Sequence, residues 1–350
     1  MRLFALSLIC FCQPEFSYSI ANPHDLRHHT ETKSAQLSLR EAKVLPIAVN
    51  KVDIAVKGPY RVITANGIAN HLTGRFPGQG NPHAIREQSF YYKLPLKPVV
   101  SEEPRYLNLD VFGIAVNGVL FDPQAAEWYR GERHSLWQYD PLGGAVVLGL
   151  DEHHAHVQRN GTYHYHGLPT GLLQQLGFSK DMHSPLVGWA MDGHPIYALI
   201  GRLEGKLEIV KSSYQLRKGM RPGGFNAPSG PYDGAFVADW EYVRGTGNLD
   251  ECNGAFTVSE EFPSGTYAYF LTETFPVVPR CLKGTVLTSG QSKVMQRPVG
   301  RPDIDGAADR LGIDVRTLKR ALGPPPPYLK VAAQKLGISE DELKKALHPH

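Results

Sequence analysis

Two histidines alternate with two tyrosines in Tyr163-His-Tyr-His166, and three more histidines, His153, His154 and His156, lie just upstream. Neutral imidazole is a good ligand for zinc, copper, nickel and iron, so this cluster points to a transition-metal site. In a strand, side chains two apart share a face, which pairs His164 with His166 and leaves Tyr163 and Tyr165 on the opposite side. An isolated histidine on such a strand is most often a satisfied core residue. Seven histidines between residues 153 and 194 tip the reading towards metal. If zinc is bound with an open coordination position, it lowers the pKa of a bound water and makes hydrolysis the simplest chemistry. Copper redox chemistry is the other enzymatic option.

The element that positions these residues is a hairpin. Asn160-Gly161 separates the two histidine runs, and Asn-Gly between alternating segments is a strong hairpin signal. With Asn160 and Gly161 as a two-residue loop, Arg159 pairs with Thr162, Val157 with His164 and Ala155 with His166. His153, His164 and His166 then share one face, while His154, His156, Tyr163 and Tyr165 share the other. A one-residue slip moves every upstream histidine across the sheet. The pair His164/His166 is therefore a unit, and the remaining ligands are open among His154, His156 and His153.

Carboxylates for acid–base or supporting roles are sought downstream. Asp192 sits in Met191-Asp-Gly-His194, and Asp250 in Asn248-Leu-Asp-Glu-Cys-Asn253, where a tight turn is the plainer explanation. Other catalytic patterns are missing: the sequence has no Gly-rich phosphate loop, no Gly-x-Ser-x-Gly elbow and no His-Glu-x-x-His.

At 350 residues, with 42% hydrophobic and 20% charged residues, the chain has the composition of a globular protein with a substantial core. A formal charge of +3 gives no case for nucleic-acid binding. Residues 1–21 read as a signal peptide, with Arg2 before a short apolar run and a small-x-small site at Ser19-Ile-Ala21. That run is too short for stable membrane insertion. The expectation is a secreted or periplasmic protein with a small-molecule or extracellular ligand. Removing the signal leaves Cys252 and Cys281, whose pairing as a disulfide is the expectation in an oxidising compartment. Two buried thiols or thiolate ligands are the alternatives.

Residues 22–47 read as a flexible lead and 48–290 as the main domain, followed by a linker at 291–302. Within the domain, short alternating runs and abundant Gly and Pro predict a mainly β fold with irregular loops. Asn117-Gly118 marks a second hairpin, and short helices are expected within 122–138 and at Thr170–Gly177. Residues 303–350 carry two helix-turn-helix-like copies, with Leu311 and Leu336 setting a spacing of 25 residues, so a small α-helical repeat region closes the chain. Its mixed charges, including Arg316, Lys319 and Arg320, read as solvated.

Around the histidines the sequence resembles the YHYH-domain family of secreted and bacterial proteins. The resemblance extends from Tyr163–His166 to Gly80-Asn-Pro82, Asn117-Gly-Val119, Phe121-Asp-Pro123, His154-Ala-His-Val157, Asp192-Gly193, Pro195-Ile-Tyr197, Tyr232-Asp-Gly234, Leu249–Gly254 and Tyr267-Ala-Tyr269. His194 departs from it, standing where an aromatic residue is expected. The resemblance implies a secretory setting and strengthens His154-Ala-His156 as part of the unit; it implies no reaction. The competing reading is a non-enzymatic extracellular module that binds glycan, peptide or cell surface and keeps its histidines structural.

Overall fold

A computed structural model describes residues 37–133, 135–286, 304–322 and 329–347. The segments read as signal peptide (1–21) and linker (291–302) lie outside the described residues, as does 22–36 of the lead. The rest of that lead is not loose. Residues 37–44 dock on the body: Arg40 N–H donates to Leu150 O, Val44 and Thr73 exchange backbone bonds, and Ala42 is buried. The apolar Leu37, Leu39 and Ala42, interleaved with polar residues, supply the packing face.

The fold is mainly β. Strands β1 (Val52–Lys57), β2 (Tyr60–Ala65) and β3 (Phe90–Pro95) form an antiparallel meander, and β4 (Val100–Tyr106) follows. Next come β5 (Gly113–Ala115), β6 (Leu120–Phe121), β7 (Ala155–Val157), β8 (Tyr163–Tyr165) and helix α1 (Thr170–Gln175). Then β9 (Gly188–Ala190) and β10 (Pro195–Ala198), and β11 (Ile200–Leu203) and β12 (Lys206–Ile209), form short hairpins, and β13 (Tyr214–Leu216) pairs with β14 (Trp240–Tyr242) across a long connection. Strands β15 (Gly254–Thr257), β16 (Thr266–Leu271) and β17 (Cys281–Gly284) complete the body.

The organising element is an eight-stranded sheet in the order β15-β16-β10-β9-β5-β6-β8-β7. Phe112, Phe121, Tyr163, Tyr165, Ile196 and Tyr269 pack in one apolar cluster against it. Burying each such large side chain contributes about 1.5–3 kcal/mol, which fixes the faces of even very short strands. The β7–β8 hairpin lies at one edge of this sheet, and β8 is buried on both faces.

Both Asn-Gly hairpins are present, and both depart from the two-residue loop. In the first, Ala115 N–H donates to Val119 O and Gly118 N–H to Ala115 O, leaving Val116, Asn117 and Gly118 as a three-residue loop. In the second, Gln158 N–H donates to Thr162 O and Gly161 N–H to Gln158 O, so Arg159, Asn160 and Gly161 form the loop. Each ends on a glycine in the left-handed region, φ +78 at Gly118 and φ +91 at Gly161, as a turn closed by a glycine bulge requires. Each asparagine side chain accepts a bond from the backbone N–H two residues on, Val119 or Thr162.

The extra loop residue corrects the register. Val157 pairs with Tyr163, His156 with His164 and Ala155 with Tyr165. His156, not His153, therefore joins the pair.

The helix at 170–177 forms as α1, but 122–138 yields only one helical turn at Tyr129–Gly131. There Tyr129 N–H donates to Trp137 O and Tyr139 N–H to Glu127 O, so the backbone pairs as a ladder instead. The expected disulfide is present between Cys252 and Cys281, Cα–Cα 5.1 Å, fixing the turn before β15 to the start of β17. Closing a loop of this length contributes about 3 kcal/mol.

Four short helices end the described chain: α2 (Ile304–Leu311), α3 (Val315–Leu322), α4 (Leu329–Leu336) and α5 (Glu340–Leu347). Ala307, Leu318, Leu322, Ala332, Leu343 and Leu347 are buried in their shared core. Among the described residues no helix is long and apolar enough to cross a membrane.

Candidate metal centre

The register above turns three imidazoles into one cluster. His156 and His164 are direct cross-strand partners on β7 and β8, and His166 follows two residues later on the same face. Nε2 of His166 lies 3.0 Å from Nε2 of His164 and 3.0 Å from Nε2 of His156. The three candidate ligand atoms all lie within 4.8 Å of one another. A tetrahedral zinc with Zn–N bonds of about 2.0–2.1 Å holds its nitrogens about 3.3 Å apart, so the two contacts of His166 are already close to that spacing, and His156 and His164, within 4.8 Å of each other, would draw together around such an ion.

The far side of each ring decides what these nitrogens present. Nδ1–H of His156 donates to Leu148 O at 2.8 Å, the shorter of its two contacts, since Asn81 Nδ2 at 3.2 Å is committed to Val157 O, and Nδ1–H of His164 donates to Thr162 O at 3.2 Å. A carbonyl can only accept, so both rings carry their proton on Nδ1 and aim an Nε2 lone pair inward. His166 Nδ1 is buried and makes no hydrogen bond of ordinary geometry. A proton on His166 Nε2 can satisfy one of its two neighbours; the other contact then sets lone pair against lone pair. Ligating histidines are typically oriented through their other nitrogen in this way.

Burial holds the cluster neutral. The pKa of His164 falls well below the usual imidazole range through burial and then the neighbouring His156. That of His166 falls likewise, through burial first and then His164 and His156. Burial lowers His156 to about 4, with the Leu148 carbonyl acting in the opposite sense. Neutral imidazoles are the ligating form.

The three rings line a cleft of about 650 Å³. Leu148, Val146, Ala125 and Ala126 contribute apolar lining, while Asp122, Gln124, Gln158 and Glu127 contribute polar groups. Asp122 is buried and escaped the sequence reading, although the match at Phe121-Asp-Pro123 contained it. Burial raises its carboxyl to about 7, partly offset by the Gln124 backbone N–H, the Arg280 charge and the Gln158 amide.

The other expected residues lie elsewhere. His153 is on the tyrosine side: its Nδ1 is 2.6 Å from Thr170 Oγ1 and accepts from Gly171 N–H, with the ring edge-on to His71. His154 faces His166 through the backbone, but its φ of +54 swings the ring away, and Nδ1 donates to Leu168 O. Asp192 accepts from Tyr269 Oη and Gly284 N–H, and Asp250 from Tyr267 Oη and the backbone N–H of Cys252 and Gly254. Both carboxylates organise structure around β15–β17 instead of serving the histidines. Cys252 and Cys281 are joined to each other, which removes them as thiolate ligands.

The face behind the cluster is saturated. Asn117 Nδ2 donates to Tyr165 Oη, Tyr165 Oη to His71 Nε2, and His71 Nδ1–H to Leu72 O. Tyr163 Oη donates to Asp151, which also accepts from Gly74, His153 and Ala155 N–H.

A family model described as YHYH protein matches residues 91–284, a little over half of the chain. No curated protein and no solved structure matches.

Proposed function

This chain belongs to the YHYH protein family, and we propose that it binds a transition metal ion through His156, His164 and His166. One observation carries the reading: three Nε2 atoms converge, on two buried rings and the half-buried His156, while the Nδ1 protons of His156 and His164 are committed to backbone carbonyls. Such a cluster has too few protons to satisfy itself, and a cation shared by the three lone pairs resolves the deficit. Three neutral nitrogens suit zinc or copper.

The finer reading is a metal-dependent hydrolase. Three protein ligands lining a cleft would leave a fourth position for water and substrate, as catalytic zinc sites do and closed structural sites do not. Zinc would supply there a water of lowered pKa and a Lewis acid for a carbonyl or phosphoryl oxygen. The location we favour is outside the cytoplasm, from residues 1–21 and from the Cys252–Cys281 disulfide, a bond that persists in oxidising compartments.

Elemental analysis of untagged protein, purified without chelators and dialysed, tests the metal reading. The expected result is one equivalent of zinc or copper, lost in the double variant His164→Ala plus His166→Ala. Wild-type protein that retains neither metal after loading refutes it.

A further inference from the structure

We propose that Asp122 is the carboxylate that acts on whatever occupies the open coordination position, accepting a hydrogen bond from a metal-held water or from a substrate N–H or O–H. The inference rests on His156, His164 and His166 as ligands. Its own support is separate and begins with register. Strand β6 runs parallel to β8, with Leu120 beside His164 and Phe121 beside Tyr165. Asp122 N–H then donates to Tyr165 O, extending the pairing by one residue. Alternation puts Asp122 on the face of Leu120, which is the face of His164 and His166.

The carboxylate is correspondingly buried, with only 7% of the residue exposed, and it lines the same cleft as the three imidazoles. Its side-chain contacts both come from donors: Gln158 Nε2 at 3.2 Å to Oδ2 and Gln124 N–H at 3.1 Å to Oδ1. Each oxygen keeps further acceptor capacity for a group in the cleft. Charge points the same way. A divalent ion on three neutral nitrogens leaves two uncompensated positive charges in a buried place, where a counter-charge is needed. Of the two carboxylates lining the cleft, Asp122 is buried whereas Glu127 is half-buried. The other buried carboxylates nearby in the chain are engaged elsewhere, Asp140 with Arg280 and Asp151 with Tyr163 on the opposite face.

Cobalt(II)-loaded protein provides the test, because the visible bands of cobalt report what enters the open position. Wild type and Asp122→Asn should each hold one cobalt at the histidines. The variant should bind azide about ten-fold more tightly, having lost the competing negative charge, and should hold cobalt about ten-fold more weakly in a chelator competition, the scale usual for a partner next to a metal site. Asp122→Ser, which keeps a hydroxyl for Gln124 N–H, should shift both in the same directions, and serves alone if Asp122→Asn does not fold. Unchanged azide and cobalt affinities in a folded variant overturn the role of Asp122 and leave the metal site standing. Failure of wild type to take up cobalt at all overturns both.

Discussion

The two faces of strand β8 are built from alternate residues of one short segment, yet they obey opposite rules. On the tyrosine face the tyrosine hydroxyls and His71 meet partners of the right kind, in a directed chain from Asn117 through Tyr165 and His71 to Leu72. On the histidine face three acceptors are pressed together with at most one proton between them. Both faces are buried and both contain histidine, so neither burial nor residue type separates structure from chemistry. What separates them is whether the hydrogen-bond accounts close within the protein itself. His71 and His153 on the first face are core residues; His156, His164 and His166 on the second call for a ligand.

The contrast can be broken most sharply at His166. Replacing it with alanine should lower metal affinity by more than about 100-fold, beyond the range seen when only a supporting partner is lost. The metal-induced rise in melting temperature should vanish with it. An unchanged rise would mean that the histidine face closes its own accounts after all. Tyr165→Phe is the complementary cut. It leaves His71 Nε2 and Asn117 Nδ2 short of a buried partner and should cost about 2 kcal/mol in urea unfolding, with metal stoichiometry untouched. Loss of metal in that variant would show that the two faces are one unit.

Acid should destabilise the metal-free protein through His156 by at most about 3 kcal/mol, reduced because its ring is not fully shielded, with His164 and His166 acting in the same sense. In metal-free protein the unfolded chain takes up this proton near 6.5 and the folded chain only near 4. Between those values the unfolded state binds more protons, so stability is full above pH 6.5 and falls as pH drops towards 4. Saturating zinc should hold stability level through the upper part of that window, because a ligated imidazole is neutral. A melting temperature flat from pH 7 to 4 in metal-free protein contradicts the neutral, buried assignment.

Much of this was legible in the sequence. Alternation in Tyr163–His166 correctly divided the strand into two faces, turn residues located both hairpins, and the cysteine count found the disulfide. The third histidine of the cluster was not legible, because Asn-Gly suits both a two-residue loop and the last two positions of a three-residue loop, and parity reverses between them. Nothing local announced the left-handed turn at His154 that removes it from the cluster. Asp122 was hidden for a different reason: it reaches the site through a parallel pairing of β6 with β8, across more than 40 residues of chain, and no short-range pattern encodes that neighbour.

The three-residue loop at Arg159–Gly161 also bears on how such a protein can diverge. Surface turns ordinarily absorb insertions and deletions with little effect. Here the same segment can close through a two- or a three-residue loop, and only the three-residue closure sets His156 opposite His164; closing on Asn160-Gly161 alone would set Val157 there and turn His156 towards the core. Substitutions that favour the two-residue closure over the glycine-ended three-residue one should therefore remove the third histidine from the cluster without touching it. A turn on the outside of the molecule is in this respect as constrained in its closure as the buried strand it serves.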